Sequence, residues 1–319
     1  MDCIGVHENS CEMSLKASID IGTNTALLLV ADVDNGNLSV VQEEQRVPRL
    51  GKGVDRDGIL SSESIEQVVK VIGEYQNLLS RDYPEVKQAI VTGTSAVRDA
   101  SNREELVKAI KDETGWSLRI LSGEEEAEWT FAGALSMLSE EHKNQKSVIL
   151  DIGGGSTEVA LGADHTVNDR FSFSMGSIRF TERYLTGDPP SKPEIERCRE
   201  VIRREFETHP FSISQDVQAV GVAGTVTSLA FILLNLAEYK PEQISNYLLQ
   251  KNEVEQFIDY FSSHTVRQAL EKWPVVMEGR ADVMLAGLLI LEGFLSKYSL
   301  DSIRVSTGGI RHGAVLMGD

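Results

Sequence analysis

The sequence contains no apolar run approaching the roughly 20 residues a membrane-crossing helix needs, so no membrane span is expected. Its most apolar stretches, Leu229–Leu236 and Val283–Leu291, are short or flanked by acids and read as buried helices. A secretory leader would start basic and then turn apolar, whereas Asp2, His7, Glu8 and Glu12 occupy that region. A cytoplasmic location is expected, with residues 1–14 a loose tail and Met13 an alternative start, because organised patterning begins only at Leu15. Cysteine is scarce. Cys3, Cys11 and Cys198 form no CxxC pair, which excludes a disulfide framework and a cysteine-bound zinc. The six histidines include no HExxH, so a histidine-bound metal centre has no support. Positive charge is also short: 31 Lys and Arg against 49 Asp and Glu, a net charge of −18. Nucleic acid is therefore not expected as a partner, since duplex binding rests on a basic surface. A phosphorylated small molecule stays admissible if backbone N–H groups, a few arginines and a divalent cation converge in one cleft.

What the chain does have, within a length that suggests two domains, is an internal echo. Residues 15–33 read as an apolar strand, a polar turn at Asp20-Ile21-Gly22-Thr23-Asn24-Thr25, and a second strand. Asp34-Asn35-Gly36-Asn37 is a hairpin turn signal, followed by a third strand near Leu38–Val47. The same grammar returns at residues 147–173, with the turn Asp151-Ile152-Gly153-Gly154-Gly155-Ser156-Thr157 and a second turn over residues 162–165. Two such copies suggest a duplicated domain with one loop of each half facing the other. Between and after them, helices alternate with strands. A helix opens at Ser61 and Ser62 and ends near Arg81, Ser101 and Glu104 have capping-box spacing, and a long helix is expected near Ala281–Leu295. No low-complexity linker interrupts the pattern. The expected class is α/β with mixed sheets covered by helices.

Four strand-to-turn junctions are rich in Gly, Ser and Thr, and Ser306–Gly309 makes a fifth. Glycine lets backbone approach an anion and successive N–H groups form a nest for its oxygens. The candidate phosphate contacts are Gly22, Thr23, Asn24, Thr25, Thr94, Ser95, Gly153, Gly154, Gly155, Ser156, Thr157, Gly224 and Thr225, with Arg98 as a guanidinium fork. Arg98 can instead pair with a neighbour such as Asp99 or Glu104. Arg49, Lys52 and Arg56 form a basic stretch, while Arg280 and Arg311 are either phosphate contacts or structural pairs. Three consecutive glutamates follow Ser122-Gly123. Ser122 and Glu125 have capping-box spacing, which gives Glu125 a structural role and leaves Glu126 inside the first turn, where a carboxylate can orient water towards a phosphorus atom. Asp20 and Asp151, facing across a cleft, suit Mg²⁺ held partly through water and substrate oxygens, and Glu158 can join that shell. For Asp20 the alternative is a turn-forming residue at a strand end.

The paired hairpins resemble the phosphate loops of the actin, hexokinase and Hsp70 superfamily. Further strings resemble one branch of it, the exopolyphosphatase/guanosine pentaphosphate phosphatase (Ppx/GppA) family. They include residues 19–25, 49–55, 93–100, 122–127, 151–158, 175–179, Gly224-Thr225 and 279–283, in order from about Ser18 to the C-terminus. The resemblance implies two duplicated actin-like (ribonuclease H-like) domains around an interdomain cleft: residues 1–124 plus 306–319, and residues 125–305. It places the catalytic glutamate on Glu126, with the register among Glu124, Glu125 and Glu126 open by one, and gives function to Asp151 and Glu158. The implied activity is Mg²⁺-dependent hydrolysis releasing terminal phosphate from inorganic polyphosphate or a guanosine polyphosphate, in a protein that is commonly a homodimer. A small-molecule kinase of the same superfamily and a non-catalytic nucleotide-binding assembly protein are the competing readings. The chain ends just after the second lobe, which implies a shorter groove, and its last residues are expected to pack back on the first lobe.

Overall fold

The computed structural model describes residues 15–34, 36–163, 166–214 and 216–318. The expected N-terminal tail with Cys3 and Cys11, Asn35 of the first hairpin turn, Asp164 and His165 of the second, and Asp319 lie outside them. The first three strands are β1 (Leu15–Ile21), β2 (Ala26–Asp34) and β3 (Asn37–Arg46), an antiparallel meander. Strands β4 (Ala89–Gly93) and β5 (Leu118–Ile120) add in parallel on the other side of β1, giving the order β3-β2-β1-β4-β5. Parallel addition needs a crossover. The helix Ser62–Asp82 supplies the first, capped by Ser61, whose side chain accepts from Ser64 N–H.

The second half repeats this plan. Strands β6 (Ser147–Ile152), β7 (Thr157–Ala163) and β8 (Thr166–Phe173) form the meander, and β9 (Gln218–Val222) and β11 (Ser302–Val305) add in parallel. A short strand β10 (Leu248–Gln250) closes the edge, so the order is β10-β11-β9-β6-β7-β8. Read from the meander, the two orders coincide over five strands. The duplication read from the two Asp-x-Gly turns is thus a duplication of sheet topology. Each sheet carries its own core: Ile19, Leu28 and Ile72 are fully buried in the first, and Leu150, Phe206 and Leu289 in the second.

Two helices join the halves. Gly123–Ser136 leaves the first sheet and packs on the second, and Ile310–Met317 returns from β11 to β1 and β2. Val315 seats against Leu29 and Ala31, which puts the closing helix on the first lobe. The two helices cross where Gly133 meets Gly309 and Gly313. A Cβ on Gly133 would stand 2.0 Å from Gly309 O and 2.9 Å from Gly313 N, both backbone atoms. Gly133→Ala is therefore expected to destabilise the protein by about 1–3 kcal/mol, read as a lower urea midpoint at unchanged slope.

Two local expectations are corrected. The helix after Ser101 does not start on a Ser101–Glu104 box: it runs Arg103–Thr114 from Asn102, without a side-chain cap. Ser101 Oγ donates instead to Gly58 O at 3.0 Å, and Asn102 exchanges two hydrogen bonds with the backbone of Leu60. The tertiary contact outcompeted the local one. The long helix expected from Ala281 begins at Met284, because residues 279–283 turn to place Arg280 and Asp282 against other segments.

Candidate active site

Strand alternation and helix phase bring the acidic residues together. In the β6–β7 register Asp151 stands directly opposite Glu158, so both side chains leave the same face. The equivalent pair in the first lobe is Asp20 opposite Leu27, so only one lobe retains two acids. Glu126 enters from above, one turn into the helix Gly123–Ser136. The capping box forms as expected: Ser122 Oγ accepts from Glu125 N–H at 3.2 Å, and the Glu125 carboxylate accepts from Ser122 N–H at 2.9 Å. Glu125 also takes Arg119 at 2.7 Å, and Glu124 stays 73% exposed. Only Glu126 is buried, with its side chain 6% exposed and Arg98 Nη1 donating to Oε2 at 2.8 Å. Geometry separates three residues that are adjacent in sequence.

The acids raise one another. Burial, then the Glu158 charge, push the Glu126 carboxyl well above its ordinary range, and Arg98 draws it back. Asp20 is pushed up to about 7 by burial and by Asp151, with Arg311 opposing. Asp151 rises to about 6 through burial, opposed by the Thr130 hydroxyl, and Glu158 to about 7 through burial and Asp151. Asp20 Oδ1 and Glu158 Oε2 are buried without any hydrogen-bond partner. Buried acceptors without donors, beside like charges, are the setting a divalent cation satisfies. Among the described residues no three metal-binding groups converge to coordination distance. The unpartnered oxygens of Asp20 and Glu158 are donors of the kind a hard divalent cation takes when it is held partly through water.

The glycine-rich turns of the two lobes meet one another. Gly22 N–H bonds Thr25 O at 2.8 Å and Gly153 N–H bonds Ser156 O at 3.0 Å, two matching tight turns. A Cβ on Gly155 would lie 2.5 Å from Ser95 Oγ and 3.0 Å from Thr23 Oγ1, and one on Gly154 would lie 2.8 Å from Thr23 Cβ. The turn of the second lobe thus touches both Thr23 and Ser95 of the first. The space left there is about 10 Å³, room for about one water. Thr94 and Ser95 begin a short helix whose Arg98 reaches Glu126, and Gly224 and Thr225 open another at the end of β9.

Not every expected contact offers its side chain to the cleft. Thr157 Oγ1 donates to Met175 O at 2.7 Å, Thr225 packs against Gly287, and Asn24 Nδ2 donates to Gly279 O. Arg98 pairs with neither Asp99 nor Glu104 but with Glu126. Arg280 is tied to Gly224 O and Ser228 Oγ, and Arg311 to Glu43 at 2.6 Å. Of the basic stretch, Arg49 forks onto Asp282 at 2.8 and 3.2 Å and Arg56 pairs with Asp57 on the surface. Sequence reading missed a clasp between the lobes: Arg183 holds Asp55 at 2.5 Å, and Arg179 bridges Asp55 and Asp99. Its members lie far apart in the chain, and no spacing rule pairs them. Thr130, whose hydroxyl donates to Asp151, was also missed, although it lies four residues after Glu126 on the same helix face.

Two duplicated lobes, a glycine-rich turn from each and a buried acidic group define a two-lobed actin-like protein. The Ppx/GppA phosphatase family profile matches residues 29–318, and the chain belongs to that family and with it to the phosphoanhydride hydrolases. It is similar to exopolyphosphatase 2 of Mycobacterium tuberculosis, at 32% identity over 94% of this chain and 97% of that protein. It is also 30% identical to a bifunctional 3-dehydroquinate synthase/phosphatase of Fusobacterium nucleatum, over 95% of this chain, which spans 46% of that longer protein. Among solved structures, an exopolyphosphatase-like protein matches with a TM-score of 0.89 at 29% identity, over 96% of this chain and 97% of that one. The Aquifex aeolicus PPX-GPPA enzyme matches with a TM-score of 0.80 at 28% identity, over 95% of this chain and 99% of that one. Among the described residues no helix is long and apolar enough to cross a membrane.

Proposed function

We propose that the chain releases orthophosphate from the end of inorganic polyphosphate by direct attack of a water molecule that Glu126 orients and deprotonates. The observation that carries this is the placement of Glu126: a buried carboxylate on the helix that joins the two halves, held by Arg98 and near Asp151 and Glu158. A carboxylate buried to that degree suits a water molecule better than a bulky acceptor. The lobes of the reading are residues 1–124 with 306–319, and residues 125–305. The turns at Gly22–Thr25 and Gly153–Thr157, with Thr94, Ser95 and the helix start at Gly224-Thr225, hold phosphate oxygens through N–H groups, and Thr23 and Ser95 add hydroxyls. Asp20, Asp151 and Glu158 would hold Mg²⁺, which when bound neutralises phosphate oxygens as charge builds on them. Arg98 exchanges part of its contact with Glu126 for a phosphate oxygen, which frees the carboxylate for the proton of water. Closure of the two turns onto the terminal phosphate excludes bulk water.

The relatives named as exopolyphosphatases favour polyphosphate, with guanosine pentaphosphate as a second substrate of the same chemistry. The reading includes a cytoplasmic protein that self-associates to a homodimer, checked by sedimentation velocity. The deciding experiment measures phosphate release with Mg²⁺ from short and long polyphosphate, guanosine pentaphosphate and ATP. Release from polyphosphate without any acceptor is expected. Transfer that requires an added acceptor hydroxyl would move the assignment to a kinase, and no release by folded protein would overturn it.

A further inference from the structure

The acidic pair of the second lobe belongs to a row across three strands. Asp151 on β6 faces Glu158 on β7, and Glu158 in turn faces Ser172 on β8. Ser172 Oγ donates to Glu158 Oε1 at 2.6 Å. From the helix above, Thr130 Oγ1 donates to Asp151 Oδ2 at 3.2 Å, and Thr130 is itself buried. Each carboxylate therefore has an oxygen engaged by a neutral hydroxyl; the Ser156 hydroxyl also lowers the Glu158 carboxyl, whose Oε2 is buried without a hydrogen-bond partner. The hydroxyls are themselves held. Ser172 lies under the start of the helix Gly123–Ser136, where a Cβ on Gly123 would come within 2.5 Å of Ser172 Cβ.

Two like charges placed opposite each other on neighbouring strands repel, and a carboxylate with no donor swings to relieve the repulsion. A hydroxyl held against Oδ2 of Asp151 and one against Oε1 of Glu158 oppose that swing. We propose that Thr130 and Ser172 are positioning residues that fix which oxygens of Asp151 and Glu158 face a divalent cation, and so set its affinity. This rests on the reading of the acidic group as a cation site. Groups that orient metal ligands from behind typically contribute 10–100-fold in affinity.

The test uses Mn²⁺ alone, titrated into the free enzyme and followed by the EPR signal of unbound ion. Thr130→Val and Ser172→Ala are each expected to weaken Mn²⁺ binding by about tenfold or more, while Thr130→Ser, which keeps the hydroxyl, stays within about threefold of wild type. A merely structural role for Thr130 would not distinguish Val, which matches its shape, from Ser, which matches its hydroxyl. Wild-type Mn²⁺ affinity in folded Thr130→Val and Ser172→Ala would overturn the positioning role and leave the cation site standing. Absence of Mn²⁺ binding by wild type would overturn the cation site and this inference with it. If Thr130→Val fails to fold, Ser172→Ala decides alone.

Discussion

Glu126→Gln is expected to lower kcat on polyphosphate by about 10²–10⁴-fold, the usual contribution of a positioned general base, with KM nearly unchanged. The substitution keeps the shape of the side chain, and the amide oxygen can still accept from Arg98, so that contact is retained. It also removes a carboxylate from beside Glu158, whose charge raises the Glu126 carboxyl, so no loss of stability is expected. Glu125→Ala gives the opposite pattern. That residue closes the capping box, so about 1 kcal/mol of stability is lost while turnover changes little. Phosphate release and thermal unfolding measured on both variants separate the roles. Turnover of Glu126→Gln within threefold of wild type would remove Glu126 from the reaction.

Mg²⁺ is expected to stabilise the protein far more at pH 8 than at pH 5. The ordinary values of Asp20, Asp151 and Glu158 are 3.8, 3.8 and 4.5, and the fold raises them to about 7, 6 and 7. Between about pH 4 and pH 7 the cation-free folded chain thus binds more protons than the unfolded chain. Its stability from these groups falls as pH rises through that window, and the full penalty is present above pH 7. A cation relieves the repulsion only where the acids are ionised, and at pH 5 it must first displace protons. With Mg²⁺ at a hundred times its Kd, mass action adds about 2.7 kcal/mol at pH 8, a rise of several degrees in Tm. Scans at both pH values with Mg²⁺ and with chelator give the difference of the two increments, which cancels every group the cation does not touch. Equal increments at pH 5 and pH 8 would show that these acids do not form the cation site. Asp151→Asn is expected to abolish most of the increment at pH 8.

The site was legible in the sequence where its logic is local. Ser122 and Glu125 cap their helix because four consecutive residues suffice to form the box, which commits Glu125 to a structural role. The Gly22 and Gly153 turns were legible because a turn is a property of four residues. Ser101 and Glu104 show the limit of the same rule. Their spacing is as favourable, yet Ser101 bonds Gly58 from another segment and the helix starts later. Arg98 was visible as a cationic side chain near the cleft, but its partner lies 28 residues on, and nearer acids looked equally eligible.

The amino-acid sequence by itself determined the duplicated α/β plan, the two glycine-rich turns, the acids Asp20, Asp151 and Glu158 at strand ends, and the capping box that commits Glu125. Those features follow from alternation, helix phase and turn chemistry, each of which acts over a few residues. Tertiary structure alone decided that Glu158 lies between Asp151 and Ser172, that Thr130 reaches Asp151, and that Arg179 joins Asp55 to Asp99. It also decided that Gly155 closes on Ser95 and Thr23. These are contacts between segments distant in the chain. Their formation depends on how two lobes and two crossing helices pack, and no short-range pattern encodes that.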